Sequence, residues 1–211
     1  MRKLAIIGSG DLGKQIAHLA RESAHYQIAG FFDDFETPGN QVNGYPILGQ
    51  IESVNQHFDE GTFDELLIGI GYKHMDLRQR IFDRFKNSIP FGKIIHASCI
   101  IDHSVSIGAG SILYSGTLVD MRATIGENCL IYNGCIIAHD TQIASNSIIS
   151  PGVHIAGFCK IGDKVNLGIG TIVSDDVSIA MGTKTGAGAV VVKDINKAGL
   201  YVGIPAKKIK S

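Results

Sequence analysis

The stretch Ile125–Ile161, IGENCLIYNGCIIAHDTQIASNSIISPGVHIAGFCKI, repeats with a period of six. Its markers are Ile125, Ile131, Ile137, Ile143, Ile149, Ile155 and Ile161. The series runs back through Val119, Leu113, Ile107 and Ile101 to Ile95, and forward through Leu167 and Val173 to Ile179, before breaking at Thr185. Four residues after each aliphatic stands a small or β-branched residue, among them Cys99, Val105, Ser111, Thr117, Ala123, Cys129, Cys135, Thr141, Ser147, Val153 and Cys159. All four cysteines fall in this column, so they read as small buried hydrophobes and free thiols, not as metal or redox ligands. Glycine follows the aliphatic at Gly108, Gly126, Gly162 and Gly168, where a tight bend is expected to need a residue without a Cβ.

A large apolar residue at every sixth position fits neither the 3.6 period of a helix nor the alternation of a half-buried strand. It fits a coil of three short strands with a turn after each. The aliphatic then points into a triangular core, eighteen residues make one coil, and successive coils stack at the ~4.8 Å spacing of paired strands. Residues 95 to 190 give five such coils and a little more.

Residues 1–92 read differently. Lys3 to Ile7 is an apolar strand, Lys14 to Glu22 an amphipathic helix, and Ile28 to Phe32 a second strand ending in Asp33-Asp34. Leu66 to Ile70 is a further buried strand, followed by a helix from Met75 to Phe85 with apolar positions Leu77, Ile81 and Phe85. These make a small α/β unit with a parallel sheet. Its first turn, Gly8-Ser9-Gly10-Asp11-Leu12-Gly13, is a formal GxGxxG with Asp33 twenty residues beyond Gly13. The unit is too short for both halves of a nicotinamide-binding fold. A helix N-terminus can hold any diphosphate, so a nucleotide diphosphate-sugar is the better match. A ligand-free glycine turn is the plainer alternative.

The chain has 211 residues, a net charge of −1 and 45% hydrophobic residues, and nothing in it suggests a polyanion-binding surface. The only basic cluster is the tail Lys207, Lys208 and Lys210. The apolar start Leu4 to Ile7 is too short for a signal peptide, and no stretch reaches the roughly 20 apolar residues of a membrane helix. A cytoplasmic protein with no nucleic-acid or membrane partner is expected.

The hexad pattern resembles the hexapeptide-repeat left-handed β-helix, which implies acyl transfer from coenzyme A or acyl carrier protein, in a homotrimer with active sites between subunits. The whole chain is an α/β half-Rossmann domain (1–92) followed by a left-handed parallel β-helix with a C-terminal tail (93–211). In that layout it resembles PglD/NeuD-like bacterial acetyltransferases of nucleotide-linked amino sugars and the related sialic acid O-acetyltransferases. The resemblance rests on Gly8 to Gly13, Phe32-Asp33-Asp34, Ile68-Gly69-Ile70-Gly71, His139-Asp140 and Tyr201-Val202-Gly203-Ile204-Pro205-Ala206-Lys207. It implies nucleotide-sugar contacts at Gly8, Gly10, Asp11, Leu12, Gly13, Asp33, Asp34, Gly71 and Tyr72. It implies acetyl-coenzyme A contacts at Gly157, Ile169, Ala187, Pro205 and Lys207, and His139 with Asp140 as the catalytic dyad. Three positions depart from the family pattern: Asp11-Leu12 where Gly-His is frequent, Ile148 where a second His is common, and Tyr132 where an Asn is common.

Neutral imidazole has a suitable pKa to take the proton as an amine attacks a thioester. His139 sits at a corner of its hexad, and one coil on, in the same column, Gly157 leaves room for a thioester and a backbone N–H for the oxyanion. Asp140 can hold the other ring nitrogen. Arg122 and Phe158 flank Asp140 in its own column, where they can tune or cover it, although ordinary stacking is the plainer reading. His103 and His154 read as solvated, and His18, His25, His57, His74 and His96 lack a catalytic pairing. The expected reaction is direct N-acetylation of a UDP- or GDP-linked 4-amino-6-deoxy sugar, with no metal. The alternatives are an O-acetyltransferase, a non-catalytic coenzyme A or sugar scaffold, a zinc carbonic anhydrase lacking a His pair at ligand spacing, and a nicotinamide oxidoreductase.

Overall fold

The structure is a computed structural model describing residues 1–209, so Lys210 of the basic tail lies outside the described residues. The chain divides into two compact units, residues 1–94 and the remainder from Ile95. Among the described residues no helix is long and apolar enough to cross a membrane.

The first unit alternates β1 (Arg2–Ile7), α1 (Asp11–Glu22), β2 (Tyr26–Phe32), β3 (Gln41–Val42), β4 (Tyr45–Gly49), α2 (Val54–Asp59), β5 (Glu65–Ile68) and α3 (Met75–Phe85). The sheet order is β3-β4-β2-β1-β5, with β4, β2, β1 and β5 parallel. That is the Rossmann-like half expected. The inner half of β1, Leu4 to Ile7, is buried throughout, as a parallel strand covered on both faces requires. The sequence reading missed the β3–β4 hairpin, although its Asn43-Gly44 turn has both residues at positive φ, the requirement of a type I′ turn.

Two other differences have physical causes. Strand β5 stops at Ile68, not Ile70, and the Ile68 and Ile70 carbonyls accept instead from the buried Arg78 guanidinium at 2.5 and 3.2 Å. The buried face of α3 is Met75, Arg78, Ile81, Phe82 and Phe85, so Leu77, expected in the stripe, lies partly exposed instead.

The second unit is the left-handed parallel β-helix. Its strands up to Val191 are two residues long and pair with the strand eighteen residues on, as in the ladder Ile100, Leu118, Ile136, His154, Ile172 and Val190. A second ladder runs Ser106, Thr124, Gln142, Lys160 and Ser178, and a third Ile112, Leu130, Ile148, Asn166 and Lys184. The hexad aliphatics from Leu113 to Ile179 fill the core with Ala123, Cys129, Cys135, Val153, Cys159, Val165 and Val177 between them. Truncating one of these isoleucines to alanine costs about 2–5 kcal/mol. The four cysteines are free thiols, and burial pushes Cys135 up to about 11.

Three expectations about the coil change. Thr185, read as the break in the series, continues it: its buried hydroxyl bonds Thr171 Oγ1 at 2.7 Å and accepts from the Gly168 amide at 2.8 Å. The glycines after the aliphatics are not needed for the bend. A Cβ at Gly126 would lie 2.6 Å from the Ser145 amide of the next coil, so it is the stacking distance that excludes a side chain. The bend itself is made two residues later, where Arg122, Asn128, Asp140, Asn146, Phe158, Lys164 and Asp176 all adopt φ between 54° and 61°. The apolar residues before the inward aliphatics were expected to form an associating surface, but of these Ile112 and Leu130 are buried, Leu118 is half-buried, and only Ile136 and Ile172 are exposed.

Candidate active site

Each coil has three corners, and His139 stands on the one between the strands Ile136–Ile137 and Gln142–Ile143. The next residue, Asp140, turns the chain at φ +59, so the two adjacent side chains converge instead of diverging. His139 Nδ1 lies 3.0 Å from Asp140 Oδ2. On the far side of the carboxylate, Arg122 makes a bidentate fork, Nε to Oδ1 at 2.7 Å and Nη2 to Oδ2 at 2.8 Å. Arg122, and then His139, hold the Asp140 carboxyl down at about 2, so it is ionised across the physiological range.

Coil stacking brings Gly157 and Phe158 against this pair. A Cβ at Gly157 would lie 2.8 Å from His139 Cε1 and 3.0 Å from Nε2, so the imidazole occupies the space that a side chain would take. The Phe158 ring, half exposed, meets the imidazole edge-on at 5.0 Å between centroids. The Gly157 amide was expected to serve an oxyanion. It instead donates to Asp175 Oδ1 at 3.1 Å, a partner the sequence reading did not name. Gly157 therefore makes room for the base, and its N–H is already engaged.

The residues expected to hold acetyl-coenzyme A do not meet on one corner. Ile169 and Ala187 stand one coil apart on the corner between the third ladder and the first, both exposed, with the Gly188 amide donating to the Ile169 carbonyl. Pro205 is exposed, and Lys207 belongs to the closing strand Lys207–Lys208, antiparallel to Leu200–Val202. The departures Tyr132 and Ile148 lie away from the His139 corner: Tyr132 stacks on Tyr114 at 4.7 Å, and Ile148 is buried in the third ladder. His103 is almost fully exposed.

In the first unit the glycine turn is largely accounted for by packing. Gly8 has φ +96, a Cβ at Gly13 would sit 2.0 Å from the Gly8 carbonyl oxygen, and one at Gly69 would meet Gly13 Cα at 2.7 Å. Gly10, the N-cap of α1, has nothing within reach of a Cβ. Asp33 ties the turn down: Oδ2 accepts from the Ser9 amide at 2.8 Å and from the Ser9 hydroxyl at 2.7 Å, and Oδ1 from the Phe35 amide. Partial burial pushes the Asp33 carboxyl up, but these bonds outweigh it and the net shift is downward. Asp34 accepts from the Ile51 amide at 2.8 Å.

Beside this turn lies a largely apolar cavity of about 340 Å³ lined by Ile7, Gly8, Phe32, Asp33, Asp34, Phe35, Ile51, Ile70, His74 and Leu77. Of the expected nucleotide-sugar residues, Gly8, Asp33 and Asp34 line it. Gly10, Asp11, Leu12, Gly13, Gly71 and Tyr72 do not, and Asp11 and Tyr72 are exposed. Phe35, Ile51, Ile70 and His74 were missed, because they come from three separate segments that only the folded sheet brings together. Among the described residues no group of three or more His, Cys, Asp or Glu could hold a metal ion.

A stacked-coil corner carrying a histidine, its carboxylate and a bare glycine, in a chain with a Rossmann-like first unit, defines a hexapeptide-repeat acyltransferase. The PglD N-terminal domain model matches residues 3–85, and the bacterial transferase hexapeptide model matches residues 122–157. The acetyltransferase domain of PglB from Neisseria gonorrhoeae, in complex with acetyl coenzyme A, is 30% identical with a TM-score of 0.90, and the match covers 99% of each chain. A point mutant of perosamine N-acetyltransferase from Caulobacter crescentus, in complex with CoA and GDP-perosamine, is 27% identical with a TM-score of 0.92 over 99% of this chain and 97% of that one. No curated protein sequence matches the chain. The chain belongs to the PglD/NeuD-like acetyltransferase family.

Proposed function

We propose that the protein moves the acetyl group of acetyl-coenzyme A to the amine of a nucleotide-linked amino sugar, with His139 as general base. The observation that carries this reading is the Asp140 contact at His139 Nδ1. With Nδ1 protonated and donating to the carboxylate, Nε2 is left as the acceptor. The neutral amine attacks the thioester carbonyl carbon and its proton passes to Nε2. The tetrahedral intermediate then collapses, the C–S bond breaks, and the imidazolium returns a proton to the departing thiolate. Attack is direct, because Cys129, Cys135 and Cys159 are buried in the coil core, where thiolates are disfavoured.

We further infer that residues 1–92 bind the nucleotide-linked sugar through Asp34 and the cavity beside Gly8, and that residues 93–211 carry acetyl transfer. Supporting the first is a cavity of largely apolar walls with two carboxylates at its edge. A homotrimer completes the coenzyme site. His139 and Gly157 stand on one corner of the coil and Ile169 and Ala187 on another. A ligand shared between corners of neighbouring copies is the arrangement this separation supports. The ladder Ile100, Ile136 and Ile172 next to His139 leaves apolar side chains exposed, as an interface would. We assign the reaction to a reducing compartment, the cytoplasm, in keeping with four cysteines that are all free thiols.

The test is thiol release from acetyl-coenzyme A across a panel of UDP- and GDP-linked amino sugars. Turnover with one sugar, reduced at least ~10²-fold in His139→Ala, is the expected result. Coenzyme binding without turnover on any amine would overturn it in favour of an O-acetyl acceptor or a non-catalytic scaffold.

A further inference from the structure

We propose that Arg122 is a positioning residue for the reaction, clamping the Asp140 carboxylate in the orientation that fixes the tautomer of His139. The inference rests on the general-base reading for its kinetic consequence, but its structural content stands on its own. Arg122 comes eighteen residues, one coil, before Asp140, and both turn the chain in the same left-handed conformation, with φ of 58° and 59°. The repeat therefore stacks guanidinium on carboxylate. The planar fork uses both carboxylate oxygens, and Oδ2 is the same atom that meets His139 Nδ1. An ordinary exposed ion pair contributes little. This one fixes the plane of a group whose orientation decides which ring nitrogen carries the proton.

Arg122 is itself held: its amide donates to Ser104 Oγ at 2.8 Å, and Nη1 lies 3.0 Å from Met121 Sδ. The other ionisable groups of this corner are Asp102, His103, Asp120, Asp175 and Asp176, four carboxylates and an exposed imidazole. Arg122 is the cation that neutralises Asp140 in this acidic corner, and its fork fixes the plane of the carboxylate that orients the ring.

The experiment compares wild type with Arg122→Ala and Arg122→Lys by kcat against pH and by imidazole ¹⁵N shifts of His139. The expected result for Arg122→Ala is a kcat about 10-fold lower at little-changed KM. The Nδ1–H tautomer signature is lost, and added guanidinium restores the rate at the exposed vacancy. Lysine keeps the charge but not the fork, so its kcat remains reduced. Arg122→Ala with wild-type rate and ¹⁵N shifts would overturn the inference. If His139→Ala retained full activity, the general-base reading would fail separately, and the ¹⁵N signature would still decide the clamp.

Discussion

Glycine does opposite work at the two candidate sites. In the first, Gly8, Gly13 and Gly69 are required by one another: each Cβ would enter backbone already present in the folded chain, so packing explains the fingerprint before any ligand is invoked. At the His139 corner, Gly157 is required by a side chain, and that side chain has no packing reason to be a histidine. A motif that packing accounts for is weak evidence of binding, whereas room made for a polar ring is strong evidence of chemistry.

The comparison breaks most visibly at Gly13. Gly13→Ala places a Cβ 2.0 Å from the Gly8 carbonyl oxygen, which only a backbone shift can relieve. A loss of about 3 kcal/mol or more is expected in denaturant unfolding of the first unit. A stable variant with wild-type sugar affinity would show that the turn is not set by packing. Gly157→Ala is the counterpart. Its Cβ meets the far side of an imidazole that can move, so unfolding is expected to shift little while kcat drops about 10- to 100-fold. An unaltered kcat would mean that the observed ring position is not the working one.

How much was legible follows the same division. The coil could be read nearly residue by residue, because eighteen-residue stacking imposes the same test on every column, and the cysteines, the inward aliphatics and the Arg122–Asp140 column came from counting. What counting could not give was direction within a corner. It offered the Gly157 amide to an oxyanion, and Asp175 from the following coil had already taken it. The first unit has no repeat to test a reading against. Its strands and helices were legible from apolar runs, but Arg78 is charged and buried, and the cavity residues Phe35, Ile51, Ile70 and His74 share no spacing.

Gly10 sharpens the contrast. It is the one glycine of the fingerprint with open space where its Cβ would stand. Gly10→Ala is expected to cost about 0.5 kcal/mol, as a poorer N-cap. If a diphosphate approaches the start of α1, KM for the nucleotide-linked sugar should rise several-fold, with KM for acetyl-coenzyme A unchanged. An unchanged sugar KM would remove Gly10 from the site and leave the turn wholly structural.

The smallest effect concerns Asp33, whose carboxylate accepts from the Ser9 and Phe35 amides. Its folded-state pKa lies below the ordinary carboxylate value, so folding favours the ionised form. That contribution is fully present above the unfolded-state pKa of about 3.9 and is lost as pH falls through the lower folded-state value. The thermal midpoint of the first unit should therefore decline between about pH 5 and pH 3, and Asp33→Asn should flatten the decline. Asparagine keeps one acceptor oxygen for Ser9, loses the one that meets the Phe35 amide and removes the charge, so a pH-independent loss reports the tether and a flattened decline reports the titration. An equally steep decline in Asp33→Asn would assign the acid sensitivity to other carboxylates and leave Asp33 as a hydrogen-bond acceptor alone.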